Sequence, residues 1–195
     1  MARYTGPKWK ISRRENYDVY GSDKWKRRPT LPGVHPMSKS RPTNYSVQFR
    51  EKQKVKRIYG LLEKQFRNIF KNASKATGNT GLRLLQLLEL RIDNVVYKLG
   101  FANSIMHARQ LVNHGHVLVN GKKVSIPSYT LNVSDTVELK DKMKNLDAMK
   151  ILFAENKKNK KVPTWLENNQ VKMLPTRDMV DQSIKEQLVI EFYSR

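Results

Sequence analysis

Residues 91–139, RIDNVVYKLGFANSIMHARQLVNHGHVLVNGKKVSIPSYTLNVSDTVEL, constrain the fold more than any other stretch. Ile92, Val95, Val96 and Leu99 recur at helical spacing and predict one buried stripe. Gly100 follows, where a residue at ease with positive φ ends a helix at little cost. Ser104 is placed to cap a second helix, with Ala108, Leu111 and Val112 facing inward and Gly115 closing it. Beyond Gly115 the period falls to two: Val117 and Val119 point one way, and Asn120-Gly121 is the dipeptide of a type I′ hairpin. A second strand around Val124 and a third around Val137 and Leu139 complete two helices packed on a short antiparallel sheet. The polar side of this unit is expected to carry Arg91, Asn94, Lys98, Arg109, Gln110, Asn113, His114, Lys122 and Lys123.

Cations and amides displayed together on a small scaffold suit a folded polynucleotide, the cations meeting phosphates and the amides reaching sugars and base edges. Charge points the same way. The chain has 38 Lys and Arg against 17 Asp and Glu, a net of +21, and the excess is concentrated at the front. Residues 1–60 hold 16 basic and 4 acidic side chains; residues 61–195 hold 22 and 13. A pole of one sign reads as a surface for a polyanion.

Residues 1–45 read as a basic extended arm in which Arg3, Lys8, Arg13 and Arg14 alternate with Tyr4, Trp9, Tyr17, Tyr20 and Trp25, a mixture suited to phosphates and unpaired bases. Ser12 and Glu15 have the spacing of a capping box. Residues 46–72 predict one long helix with Val55, Ile58, Tyr59, Leu62, Phe66, Ile69 and Phe70 on its apolar face. Arg50, Lys54, Arg57, Lys64 and Lys71 form a basic stripe elsewhere on it, which self-repels unless a counter-charge lies against it. After Gly78-Asn79-Thr80-Gly81 another helix begins with Leu82, Leu85 and Leu88. The remainder reads as a helix or linker over 151–175, containing the aromatic anchor of Pro163-Thr164-Trp165, and a tail over about 176–195. QLVIEFYSR at its end suits a strand or an extended tail packed on the body.

The sequence has no cysteine, which excludes disulfides and thiolate metal sites. MARYTGPKWK lacks the apolar core of a signal peptide, and no segment approaches the roughly 20 apolar residues of a membrane span. A cytoplasmic protein that requires neither membrane, metal nor cofactor is expected. His107, His114 and His116 have no carboxylate or thiolate partners in sequence and read as structural or RNA-contacting side chains.

RIDNVVYKLGF followed by ARQLVNHGHVLVNGKKV resembles the αL RNA-binding motif, which also occurs in pseudouridine synthases, tyrosyl-tRNA synthetases and a heat-shock protein. The whole chain goes further. MARYTGPKWKISRRE, REKQKVKRIYGLLEKQFRNIFK, GNTG, the αL unit over 91–150, PTWLE and EFYSR together resemble the bacterial, zinc-free form of the family of small-subunit ribosomal protein four. The resemblance implies an α+β protein, a mainly helical domain plus a small αL RNA-binding domain, with the C-terminal tail completing the helical domain of 46–90. It implies no catalytic role. Its partners would be small-subunit ribosomal RNA, ribosomal proteins three and five, and messenger RNA where it enters the subunit. Its task would be to recognise a helix junction in the 5′ domain, nucleate assembly and influence decoding accuracy.

Carried over from the family, RNA contact falls on Arg3, Lys8, Arg13, Arg14, Arg50, Lys54, Lys56, Arg57, Arg91, Asn94, Arg109 and Asn113. The polar face adds Lys98, Gln110, His114 and Lys122, and Lys39 and Arg41 align with basic residues that face messenger RNA. The chain departs from the family pattern in three places. Pro32-Gly33-Val34-His35-Pro36 replaces a PGQHG-like segment, Ile105 stands where Arg is common, and the N-terminal cysteine cluster of some members is missing.

Two other functions compete with this reading. An RNA-modifying or aminoacylating enzyme would need a nucleophile or base with an orienting partner, and no GxSxG, HExxH, P-loop or dinucleotide motif occurs. A general nucleic-acid packing protein would need charge but few shaped features, whereas this chain mixes amides with cations around a structured hairpin.

Overall fold

A computed structural model of the chain describes residues 4–36, 41–159 and 162–194. It divides into two units, Met1–Asn72 with Ser183–Arg195, and Ala73–Gln182. Helices with a small antiparallel sheet make the α+β class expected from the sequence.

The first unit contains α1 (Lys8–Glu15), α2 (Asn44–Ile58), most of α3 (Glu63–Lys75) and α9 (Glu186–Tyr193). Its N-terminal segment is not wholly an extended arm, because α1 and a 3-10 turn over Asp23–Arg27 form within it. Ser12 is buried inside α1 and does not cap it; Pro7 occupies the N-cap, and Asn16 ends the helix in the left-handed conformation (φ 49°). The single long helix expected over 46–72 is two helices. Gly60 adopts φ 61°, Leu61 N–H donates to the Lys56 carbonyl (2.9 Å) and Gly60 N–H to that of Arg57 (3.0 Å), so a left-handed glycine just past the Tyr59 C-cap closes α2.

The C-terminal segment expected to be extended is the helix α9. Its aromatic side chains explain why. Phe192 meets Tyr45 and Phe49 of α2 at ring distances of 5.7 and 5.9 Å, while Tyr193 stacks on Phe70 of α3 at 4.6 Å. As a helix, the segment brings these two rings against α2 and α3 and buries Val189 as well.

The second unit is the two-helix-and-hairpin arrangement read from 91–139. After α4 (Thr80–Glu89), capped by the Asn79 carboxamide, come α5 (Ile92–Lys98) and α6 (Ile105–Asn113), the latter capped by the Ser104 hydroxyl. Inward residues of α4 are Leu84, Leu85 and Leu88, with Leu82 only half-buried. β1 (Val117–Val119) pairs antiparallel with β2 (Lys122–Val124) and β3 (Val137–Leu139), in the order β2-β1-β3. Asn120 and Gly121 both take positive φ (49° and 75°), as a type I′ turn requires.

The segment read as a linker is also built into this unit. α7 (Asp141–Lys144) and α8 (Asp147–Asn159) follow β3, and then a second hairpin, β4 (Leu166–Glu167) and β5 (Gln170–Val171), forms. Its turn residues Asn168 and Asn169 again have positive φ, so the Asn-Asn pair was the local signal for it. Trp165 and Met149 join Ile92, Val95, Val112, Val117 and Leu139 in one apolar cluster. At about 25 cal/mol per Å², burying a side chain as large as Trp165 is a major local contribution, and it ties the late segment to the αα-hairpin core.

Candidate nucleic-acid interface

The stripe of cations on α2 does meet counter-charge, and it comes from within the chain. Arg50 and Arg57, two turns apart, both donate to Glu15 Oε1 of α1, Arg50 at 3.1 Å. The Glu15 side chain is 1% exposed; burial pushes its carboxyl above the usual carboxylate range while Arg50 and Arg57 pull the other way. Lys52 and Lys56, one turn apart, both bind Glu63 at the start of α3, at 2.7 and 2.9 Å. Burial alone would raise the Glu63 carboxyl, but hydrogen bonds from Lys52, Lys56 and the Tyr193 hydroxyl hold it down at about 2. Lys54 reaches Glu51 and the Ser183 carbonyl.

Lys52 was absent from the sequence-based candidates, and in the structure it is a buried cation, 4% exposed. Its ammonium lies 4.5 Å from the Phe192 ring centre and 5.0 Å from that of Phe49, a cation–π setting that substitutes in part for water. The signal for these pairs was the spacing of basic residues at i, i+4 and i, i+7 on one helix. Spacing alone does not say which acid they share.

In the second unit two expectations are corrected. Arg91 and Asn94 do not stand on a solvent-facing polar side; each is 4% exposed. Arg91 binds Asp93 through two hydrogen bonds (3.1 and 2.9 Å), and Asn94 donates to the Glu89 backbone carbonyl and side chain (2.9 and 2.8 Å). Asp93 and Glu89 are the reason: both carboxylates are buried at the α4–α5 junction and draw polar partners inward.

Around this junction the remaining candidates are graded by exposure. Arg109 of α6 also binds Asp93, through Nε (3.0 Å) and Nη2 (2.7 Å), and Lys98 binds Glu89 at 2.6 Å. These two side chains are 17% and 22% exposed, so each is anchored by a buried carboxylate and only partly covered. Gln110, His114, Lys122 and Lys123 are exposed and Asn113 is half-buried. His114 and His116 lie edge to face with ring centres 5.9 Å apart; burial, then His114, Lys140 and Lys123, lower the His116 pKa.

Of the other candidates, Lys8 and Arg14 are exposed and Arg13 half-buried on α1, with Arg14 donating to the Pro32 carbonyl at 2.8 Å. Arg41 is exposed. Arg3 and Lys39 lie outside the described residues. No group of three or more metal-ligating side chains occurs among the described residues, and no described helix is long and apolar enough to cross a membrane.

Each unit therefore presents cations whose directions are fixed by buried acids, beside exposed amide, imidazole and ammonium groups. Such a surface binds phosphates with little loss of side-chain freedom. Comparison with known proteins points the same way. Residues 3–89 match the family described as "Ribosomal protein S4/S9 N-terminal domain", and residues 90–137 match "S4 domain". Small ribosomal subunit protein uS4 of Cutibacterium acnes is 47% identical over 202 residues, covering 100% of both chains. The proteins named uS4A in Clostridium acetobutylicum and uS4 in Dictyoglomus thermophilum are each 48% identical, again over 100% of both chains.

Proposed function

The chain belongs to the ribosomal protein S4 family, and from that premise we propose that it is a structural constituent of the small ribosomal subunit that binds ribosomal RNA through both of its units. It is an RNA-binding structural protein and not an enzyme. The observation that carries the reading is the full-length match at 47–48% identity, which spans the cationic faces of both units.

Within that role, the chain recognises a multi-helix junction in the 5′ domain of small-subunit RNA and nucleates assembly around it. It neighbours ribosomal proteins three and five, and Lys39 and Arg41 face messenger RNA where it enters the subunit, giving the protein an influence on decoding accuracy. It works in the cytoplasm, inside the ribosome. The family resemblance supports these assignments, and the charge architecture suits them. Arg50, Arg57, Lys56, Lys98 and Arg109 are oriented before RNA arrives, so a junction that matches their spacing binds without first ordering them. The exposed Gln110, His114 and Lys122 supply contacts to sugars, bases and phosphates, with the half-buried Asn113 beside them.

The test is a titration of the protein against the 5′ domain of its own small-subunit RNA and, separately, an equal mass of random duplex, in high salt. Counterion release fades as salt rises, leaving the part of affinity that depends on shape. Tight binding confined to the ribosomal fragment supports the reading. Equal binding to both makes the chain a charge-driven packing protein.

A further inference from the structure

A hollow of about 680 Å³ opens in the first unit, walled by Tyr4, Lys10, Arg14, Phe49, Arg50 and Arg57. It is a broad, open hollow rather than an enclosed cavity, with a volume within the roughly 300–1,000 Å³ of ligand sites. The chemistry of the wall is specific. Four of these side chains are cations, and among the described residues the one acid bonded to them, Glu15, is 1% exposed. Glu15 Oε1 takes both guanidinium contacts, so those two side chains are fixed in place while the hollow keeps an excess of positive charge. Arg14 is fixed as well, through the Pro32 carbonyl at 2.8 Å. The half-buried Pro32 adds an apolar patch.

The aromatic rings are not equivalent. Phe49 is already engaged, with the Arg50 guanidinium 4.7 Å from its centre and Tyr45 stacked at 6.1 Å. Tyr4 is 44% exposed and retains surface to offer. Fixed cations, an apolar patch and one available ring are what a phosphate joined to a flat, unstacked base requires. A duplex fits poorly, since its bases stay inside the stack and offer no open face to an aromatic ring.

We propose that this hollow holds a single unpaired nucleotide of the bound RNA, with its phosphate on Lys10, Arg14, Arg50 and Arg57 and its base against Tyr4. The proposal rests on the RNA-binding reading above and adds to it a class of ligand, a base splayed out of a loop or junction, and a place.

The experiment uses the full chain with three probes: the 5′-domain RNA, an eight-nucleotide single strand carrying 4-thiouridine, and a blunt duplex of equal length. Photo-crosslinks are mapped by peptide, and affinities are compared for the wild type, Tyr4→Leu and Lys10→Ala. Both substitutions are at exposed positions, and circular dichroism checks that the fold is kept. The expected result is a crosslink in the peptide bearing Tyr4. Single-strand affinity should fall about tenfold in Tyr4→Leu, as loss of one stacking ring implies, with duplex affinity unchanged. Lys10→Ala should weaken both probes. Crosslinks confined to other peptides, equal losses for strand and duplex in Tyr4→Leu, or a wild type that binds its 5′-domain RNA but not the single strand would each overturn the proposal. A wild type that fails on the 5′-domain RNA itself would instead overturn the RNA-binding reading.

Discussion

In the unit formed by residues 73–182, Arg91 and Arg109 share Asp93 against a continuous apolar cluster, whereas in the other unit Arg50 and Arg57 share Glu15 across 35 and 42 residues of chain. The apolar support differs as much as the connectivity. Among the described residues, 22 buried hydrophobic side chains belong to the former unit and eight to the latter. Where the core is large, it also shuts the ion pair away from water, so each buried charge depends on its partner. Where the core is small, ion pairs and cation–aromatic contacts join the helices while the cations keep partial access to water. The consequence for function is that the N- and C-terminal unit gains most from a bound polyanion, which relieves repulsion among its cations.

Removing the shared acid from each unit separates these cases. Asp93→Ala should cost about 3–5 kcal/mol, because Arg91, 5% exposed in its side chain, is left as a buried charge without its carboxylate. Urea unfolding followed by peptide-resolved hydrogen exchange checks this, with the loss expected in peptides of α5, α6 and β1. A change below 1 kcal/mol would mean that Arg91 escapes to water, and the contrast between the units would fail.

Arg109→Ala should cost less, about 1.5–3 kcal/mol, since Asp93 keeps the Arg91 pair. It should also weaken RNA binding. Measuring affinity well below the melting temperature separates the two effects, and unchanged affinity would remove Arg109 from the interface.

Glu15→Ala should be milder, about 1–2 kcal/mol. Arg50 and Arg57 are 35% and 27% exposed and can turn to solvent, and the buried carboxyl they lose was itself disfavoured by desolvation. The losses should appear where α1 meets α2 and leave the αα-hairpin unit unchanged. A cost equal to that of Asp93→Ala would show that the two acids carry the same load despite their different surroundings.

The smallest effect is a pH dependence. Glu63 is held at about 2 in the folded chain against an ordinary 4.5, so its contribution is fully present above 4.5 and is lost as pH falls from 4.5 towards 2. With its side chain 45% exposed, solvent screening keeps that contribution below about 1 kcal/mol. Glu63→Gln should flatten this part of the acid unfolding curve. Carboxyl NMR should show Glu63 titrating below the ordinary range and Glu15 above it; the reverse order would contradict the assigned roles of the two acids.

The second unit was legible in the sequence because its signals are local. Helical spacing of Ile92, Val95 and Val96, the Ser104 cap, the Gly100 and Gly115 stops and the Asn120-Gly121 turn each act within a few residues, and all agree. Gly60 carried an equally local message, which the run of apolar residues from Val55 to Phe70 masked. Asn168-Asn169 was a further turn signal of the same kind.

Other features had no local cause. The apolar residues of QLVIEFYSR fit a strand as well as a helix, and the rings of Tyr45, Phe49 and Phe70 decided between them. Arg91 and Asn94 look like surface residues until Asp93 and Glu89 are found buried beside them. Periodicity tells which side of an element faces inward, because burial follows the geometry of a single helix or strand. The partner of a charge is a different matter, since Coulomb attraction and hydrogen bonding act between whichever groups the fold brings together. The sequence by itself determined the αα-hairpin unit, the excess of positive charge and the family. Only the tertiary structure decided which cations are anchored, by which acids, and which remain exposed.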